Sequence, residues 1–173
     1  FHKSYNALIR NKITPILVNN TITGRNISLV IHQDEFKRAL NVIHGEIFGV
    51  AKKVNIAIFG HGTVGGTLIE QILASAKNIE TKKGIKLNIF AIANSKKVLL
   101  NKSGINQDWK NALQNDAQNY SIDEVISYAK EHHLENLIAI DNTASKVFVT
   151  NYISLAQNGF DLISSNKVAN TID

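Results

Sequence analysis

Residues 54–66 read Val-Asn-Ile-Ala-Ile-Phe-Gly-His-Gly-Thr-Val-Gly-Gly, an apolar run that passes directly into Gly60-x-Gly62-x-x-Gly65. A run with so little polar interruption fits a parallel strand covered on both faces. Glycines at this spacing behind such a strand have separate tasks. The first permits a tight turn, the second lets backbone approach a bulky anion, and the third lets the next helix pack close to the strand. That helix aims its unpaired N–H groups and the positive end of its dipole at the anion. The pattern points to a dinucleotide pyrophosphate held by backbone at Gly60, Gly62, Thr63, Val64 and Gly65. The plainer alternative is a tight strand-to-helix turn, because glycine-rich turns are common.

From Val54 onward the chain alternates. Strands are predicted over 54–59, 86–93, 136–141 and 160–164, and helices over 64–76, 122–132 and 146–157. A variable segment, 95–119, contains a short helix around Trp109 to Leu113. Alternation of this kind predicts a parallel sheet with right-handed crossovers, so residues 51–173 read as an α/β, Rossmann-like, doubly wound domain. Ser121 with Glu124 forms a capping box, and Gly159 is placed to close the helix before the last strand.

Residues 1–50 read as a small α+β piece. A helix ends near Arg10 with Tyr5, Leu8 and Ile9 on one side. Pro15, the one proline, makes 13–18 an edge strand or connector. A turn at 21–26 precedes a strand at 27–31. Asp34 is the predicted N-cap of a helix whose apolar face is Phe36, Leu40, Ile43, Ile47 and Phe48, stopped by Gly49. So few elements cannot bury their own apolar faces, and they are expected to dock on further chain or on a partner.

Composition narrows the classes. Of 173 residues, 44% are hydrophobic and 19% charged, which suits a packed core. No apolar run reaches the ~18 residues of a membrane span, and no signal peptide is expected at the start of the chain. Without Cys there are no disulfides or thiolate metal sites, and the six His lack ligand spacing, so no metal is expected. A chain without Met that opens at Phe1 and closes soon after Ala169 is expected to be part of something longer. The net charge of +5 traces to eight Lys between Lys77 and Lys110 set against Glu80 and Asp108. All three Arg lie elsewhere and aromatics are sparse there, so the patch reads as a solvated face and nucleic-acid binding is not expected.

Ligands of open parallel sheets bind beyond the carboxyl ends of the strands. At the second such end NAD sites usually place an acid against the ribose 2′-hydroxyl, and here the residue is Asn94. Asn94, Ser95 and Lys96, with Lys97 beside them, could accept a 2′-phosphate, so NADP is preferred and NAD stays possible. The bland reading is that the lysines solvate a loop. Thr143 and Ala144 would line the cofactor, while Ser145 either joins them or caps a helix. Lys167, in an otherwise uncharged turn, is a surface lysine or a group that orients the cofactor or polarises a carbonyl. His61 reads as a solvent-facing filler.

Four segments together resemble homoserine dehydrogenase, in the form joined to aspartokinase: 58–66, 91–96 (Ala-Ile-Ala-Asn-Ser-Lys), 141–145 (Asp-Asn-Thr-Ala-Ser) and 159–171. The resemblance covers 54–173, and residues 1–50 look like the last part of the ACT-like regulatory region. It implies NADP-linked reduction of aspartate 4-semialdehyde to homoserine, on the way to threonine and methionine. It also implies a small-molecule substrate, a homo-oligomer in the full-length protein, a cytoplasmic location (plastid if from a plant) and no membrane partner. Gly60 to Gly65 would hold the pyrophosphate, Thr143 and Ala144 the cofactor, and Lys167 would sit near the reacting centre as the candidate catalytic residue. The family's substrate-binding acids, its proton-transferring lysine and its dimerising domain would lie beyond Asp173, leaving this chain inactive by itself. Read from the residues alone, a non-catalytic nucleotide-binding module for regulation or assembly stays open as the alternative.

Overall fold

The computed structural model describes residues 2–22, 26–48 and 52–170. The predicted stop at Gly49 and the centre of the 21–26 turn lie outside them. The chain divides into two compact units, 1–52 and 53–173.

In the first unit α1 (His2–Arg10) is followed by the antiparallel hairpin β1 (Leu17–Asn20) and β2 (Ile27–Val30), then by α2 (Phe36–Phe48). Its core is Ala7, Leu8, Ile13, Ala39 and Val42. The stripe of α2 read from the sequence lies largely outside this core, with only Ile43 packed against it. Phe36, Leu40, Ile47 and Phe48 are exposed, and Ile9 of α1 faces out as well. Two apolar stripes share this helix, and the one built from the small residues Ala39 and Val42 lets α1 approach closely. Asp34 does not cap α2, because it sits inside a 3-10 turn, Gln33–Glu35, that leads into the helix.

The second unit carries six strands in the order β6-β5-β4-β3-β7-β8. They are β3 (Lys52–Phe59), β4 (Ile85–Ala93), β5 (Lys97–Leu100), β6 (Gln118–Asn119), β7 (Leu137–Asp141) and β8 (Phe160–Ser164). β3, β7 and β8 run parallel, and their register sets Phe59, Asp141 and Ser164 level at one end of the sheet. β5 and β6 add an antiparallel margin within the segment read as variable. The strand order reverses at β3, with β4 on one side and β7 on the other, as in a Rossmann-like doubly wound domain.

Alternate strand residues feed the two layers. Ile56, Ile58 and Ile140 pack with Ile69 of α3 (Thr63–Lys83) and with Trp109 and Leu113 of α4 (Trp109–Asn115). Ala57, Phe59, Leu137 and Ala139 pack with Val125 of α5 (Ile122–Glu131), Phe148 of α6 (Lys146–Val149) and Leu155 of α7 (Tyr152–Gln157).

Two boundaries and one cap differ from expectation. α3 continues to Lys83 because nothing in 77–83 breaks a helix, and it stops at Gly84, whose φ is 63°. The predicted helix 146–157 is two, divided at Thr150 and Asn151, where the Thr150 hydroxyl turns back to the Val147 carbonyl. Ser121 is the N-cap residue of α5 but the capping box does not form, since Glu124 instead accepts from Gln118 Nε2 at 2.6 Å.

Candidate functional site

The carboxyl ends of β3, β4 and β7 are tied together by backbone. Gly60 N donates to the Ala93 carbonyl at 2.8 Å, and Asn142 N donates to the Phe59 carbonyl at 2.8 Å. Gly60 turns at φ 85°, and a Cβ there would meet the Asn142 carbonyl at 2.9 Å. A Cβ on Gly65 would lie 1.9 Å from the Gly60 oxygen, so α3 can start this close to β3 only with glycine. At Gly62 a Cβ would meet nothing within 4 Å, so this backbone is open to approach. Gly62 is the N-cap of α3 and no side chain caps that end, which leaves the first N–H groups, at Thr63, Val64 and Gly65, without intrahelical partners.

Beside this helix start lies a cleft of about 620 Å³. Its wall includes Gly60, Gly62, Asn94, Ser95 and Thr143, together with Phe59, His61, Tyr120, Asn142, Val147, Phe148 and Asn151. Lys96, Ala144 and Lys167 lie on exposed surface and are not part of that wall. Lys167 opens a 3-10 turn, Lys167–Asn170, immediately after the buried Asn166.

Asn94 is already engaged. Its Oδ1 accepts from the amides of Lys96 and Lys97 at 2.8 and 2.7 Å, and its Nδ2 lies 3.1 Å from His61 Nε2. The bonds to the two amides fix Asn94 Oδ1 as acceptor, so the amide donates to His61 and the imidazole carries its proton on Nδ1. His61 is accordingly not a filler in solvent. It is half-buried, with its ring edge-to-face on Trp109 at 5.7 Å, and it joins the glycine loop to the end of β4. Ser145 is the N-cap of α6, accepting from Phe148 N at 3.2 Å.

Two polar atoms in residues of the wall, Tyr120 Oη and Asn142 Nδ2, are buried without a hydrogen-bond partner. Burial, reinforced by the Asp141 carboxylate, pushes the Tyr120 phenol up to about 12, so it stays a neutral donor. Buried polar atoms of this kind call for a partner, which water, an ion or a ligand group can supply. Behind the wall, Asp141 accepts from Thr143 N at 2.7 Å, from the Tyr152 hydroxyl at 2.6 Å and from Asn166 Nδ2 at 3.1 Å. Burial, and then the bond to Asp141, raise the Tyr152 phenol as well. Among the described residues no three His, Cys, Asp or Glu gather to hold a metal, and no helix is long and apolar enough to cross a membrane.

Residues 60–173 match the family model for the homoserine dehydrogenase NAD-binding domain. The chain belongs to this family. A bifunctional aspartokinase/homoserine dehydrogenase of Haemophilus influenzae is 34% identical over 96% of this chain, and one from Buchnera aphidicola is 32% identical over 98%. The chain spans about a fifth of the length of either relative, 20% and 21%. Among solved structures, a homoserine dehydrogenase from Thermoplasma acidophilum shares the fold at TM-score 0.53 and 16% identity, over 68% of this chain and 36% of that one. A hyperthermophilic archaeal homoserine dehydrogenase, solved in complex with NADPH, does so at TM-score 0.51 and 23% identity, over 68% and 37%.

Sequence reasoning places Asp141 and Asn142 of this homoserine dehydrogenase NAD-binding domain in a motif but gives them no role of their own, and it passes over Tyr120. Tyr120 carries no motif, and Asp141 gains meaning only from Tyr152 and Asn166, which the fold brings to it.

Proposed function

We propose that the chain is the cofactor-binding portion of an NADP-dependent homoserine dehydrogenase, working in the interconversion of aspartate 4-semialdehyde and homoserine. Gly60, Gly62, Thr63, Val64 and Gly65 hold the pyrophosphate. Asn94, Ser95 and Lys96 receive the adenosine ribose, and Thr143 and Ala144 line the other half, with Lys167 near the reacting centre. When bound, the cofactor supplies hydride transfer; the residues here bind and orient it. Residues 1–50 are the end of an ACT-like regulatory region, and the full-length protein is a cytoplasmic or plastid homo-oligomer.

One observation carries the reading: an uncapped helix start and an open glycine backbone border a cleft whose wall holds two unpartnered polar atoms. A volume of about 620 Å³ suits an organic ligand of this size. The preference for NADP rests on the absence of a carboxylate at 94–97, where a fixed amide and two exposed lysines stand instead. Asn94 contributes mainly by shaping the turn, because its Oδ1 is spent on the amides of Lys96 and Lys97.

Fluorescence titration with NADPH and NADH tests the proposal. Micromolar binding that favours NADPH and weakens in Gly62→Val is expected, with negligible homoserine oxidation by this 173-residue chain. Binding of neither cofactor would favour the assembly-module alternative, and rapid turnover would contradict the reading of an incomplete enzyme.

A further inference from the structure

Asp141 is 1% exposed, and none of the ion pairs among the described residues involves it. A carboxylate so placed carries a desolvation cost that hydrogen bonds must offset. Its three donors come from three segments: Thr143 N from the loop after β7, the Tyr152 hydroxyl from α7 and Asn166 Nδ2 from the loop after β8. Asn166, 3% exposed, extends the link. Its Nδ2 also donates to the Ser145 carbonyl at 3.0 Å, and its Oδ1 accepts from Val168 N at 3.1 Å, across Lys167. The strands beneath are already held by apolar packing and by the β7–β8 ladder. The polar cluster instead connects the pieces of chain that surround one side of the site.

We propose that Asp141 is a positioning residue that locks the Thr143 loop to the turn bearing Lys167 and so fixes the nicotinamide half of the bound cofactor. This rests on the dinucleotide reading above. In a doubly wound sheet the two nucleotide halves bind on either side of the switch point. The glycine loop and Asn94 to Lys97 serve the adenosine half, and the β7 and β8 ends serve the other. A loss at Asp141 therefore acts on one half of the ligand.

Asp141→Asn separates this from a merely structural role. The shape is kept and Thr143 N still finds an oxygen, but the new Nδ2 opposes Asn166 Nδ2, donor against donor. NADPH is expected to bind roughly tenfold more weakly, as loss of a hydrogen bond to a charged group implies. Adenosine 2′,5′-bisphosphate, which lacks the nicotinamide half, is expected to bind as in the wild-type chain. Emission of bound NADPH should move toward that of the free cofactor. Tyr152→Phe, which removes one donor of three and is expected to fold, should show the same split at roughly threefold. Equal weakening of both ligands, or no weakening of NADPH in either variant, overturns the proposal alone. A wild-type chain that binds no NADPH overturns the parent reading and this one together.

Discussion

Gly62 and Gly65 stand three residues apart in one motif, yet the structure predicts opposite failures when each becomes alanine. The Gly65 methyl would sit 1.9 Å from the Gly60 carbonyl oxygen where ordinary contact begins at 3.4 Å, so the start of α3 must retreat by about 1.5 Å. Overpacking of this kind costs ~1–3 kcal/mol, and the upper end applies because the obstacle is backbone. The intrinsic helix gain of alanine over glycine returns at most ~1 kcal/mol. A net loss of about 2 kcal/mol lowers the melting temperature by roughly 6 °C. At Gly62 the methyl enters open space and φ is −65°, so stability should stay within ~0.5 kcal/mol, a small entropic gain cancelling a poorer cap. Cofactor binding should nonetheless fall by about 2 kcal/mol, roughly 30-fold, as the amides lose their approach to the phosphates. Trp109, the single tryptophan, is buried beside His61 and reports on this unit alone, so urea unfolding followed by its emission, with NADPH titration of the same samples, measures both quantities. A Gly62→Ala chain that binds like wild type, or a Gly65→Ala chain of undiminished stability, would refute the division of labour.

Replacing Lys96 and Lys97 together by alanine should weaken NADPH roughly three- to tenfold at low salt and leave NADH unchanged; an equal change for both cofactors would remove these lysines from the specificity argument. Tyr120 has its phenol held up at about 12 in the folded chain against about 10 when unfolded. Its stabilising contribution is then whole below pH 10 and drains away as the pH rises from there toward 12, by at most ~1 kcal/mol given its partial exposure. Denaturation at pH 9 and pH 10.5 should show a shallower alkaline loss in Tyr120→Phe, and parallel slopes would speak against it. Asn88→Leu strips the donor from Asn55 Oδ1, which it meets at 2.8 Å with both residues buried. Urea unfolding should register a loss of about 2 kcal/mol; a change below ~0.5 kcal/mol would mean the pair is dispensable.

Much of the domain was legible because its signals are local. The run from Val54 to Phe59, the glycines behind it and the Gly159 turn depend on neighbours in sequence. The errors arose where an outcome depends on distant partners. The second stripe of α2, Ala39 and Val42, went unread because its residues are small and only the approach of α1 makes it core. Residues 77–83 lack apolar periodicity, so the helix was read as ending early although nothing in them stops it before Gly84. Lys97 to Leu100 is a strand because β4 offers an edge to pair with, which four residues cannot reveal. In the site, glycine spacing exposed the backbone anion cradle, whereas Asp141 was hidden because its donors stand 2, 11 and 25 positions away.

Among the described residues β8 is one of the two outer strands of the sheet, and Ile163 on it is 52% exposed. An outer strand of this kind keeps one row of amides and carbonyls open to any extended peptide that meets it. Concentrated solutions of the 173-residue chain therefore carry a built-in route to intermolecular β-pairing, and a lysine in place of Ile163 is the simplest gatekeeper against it.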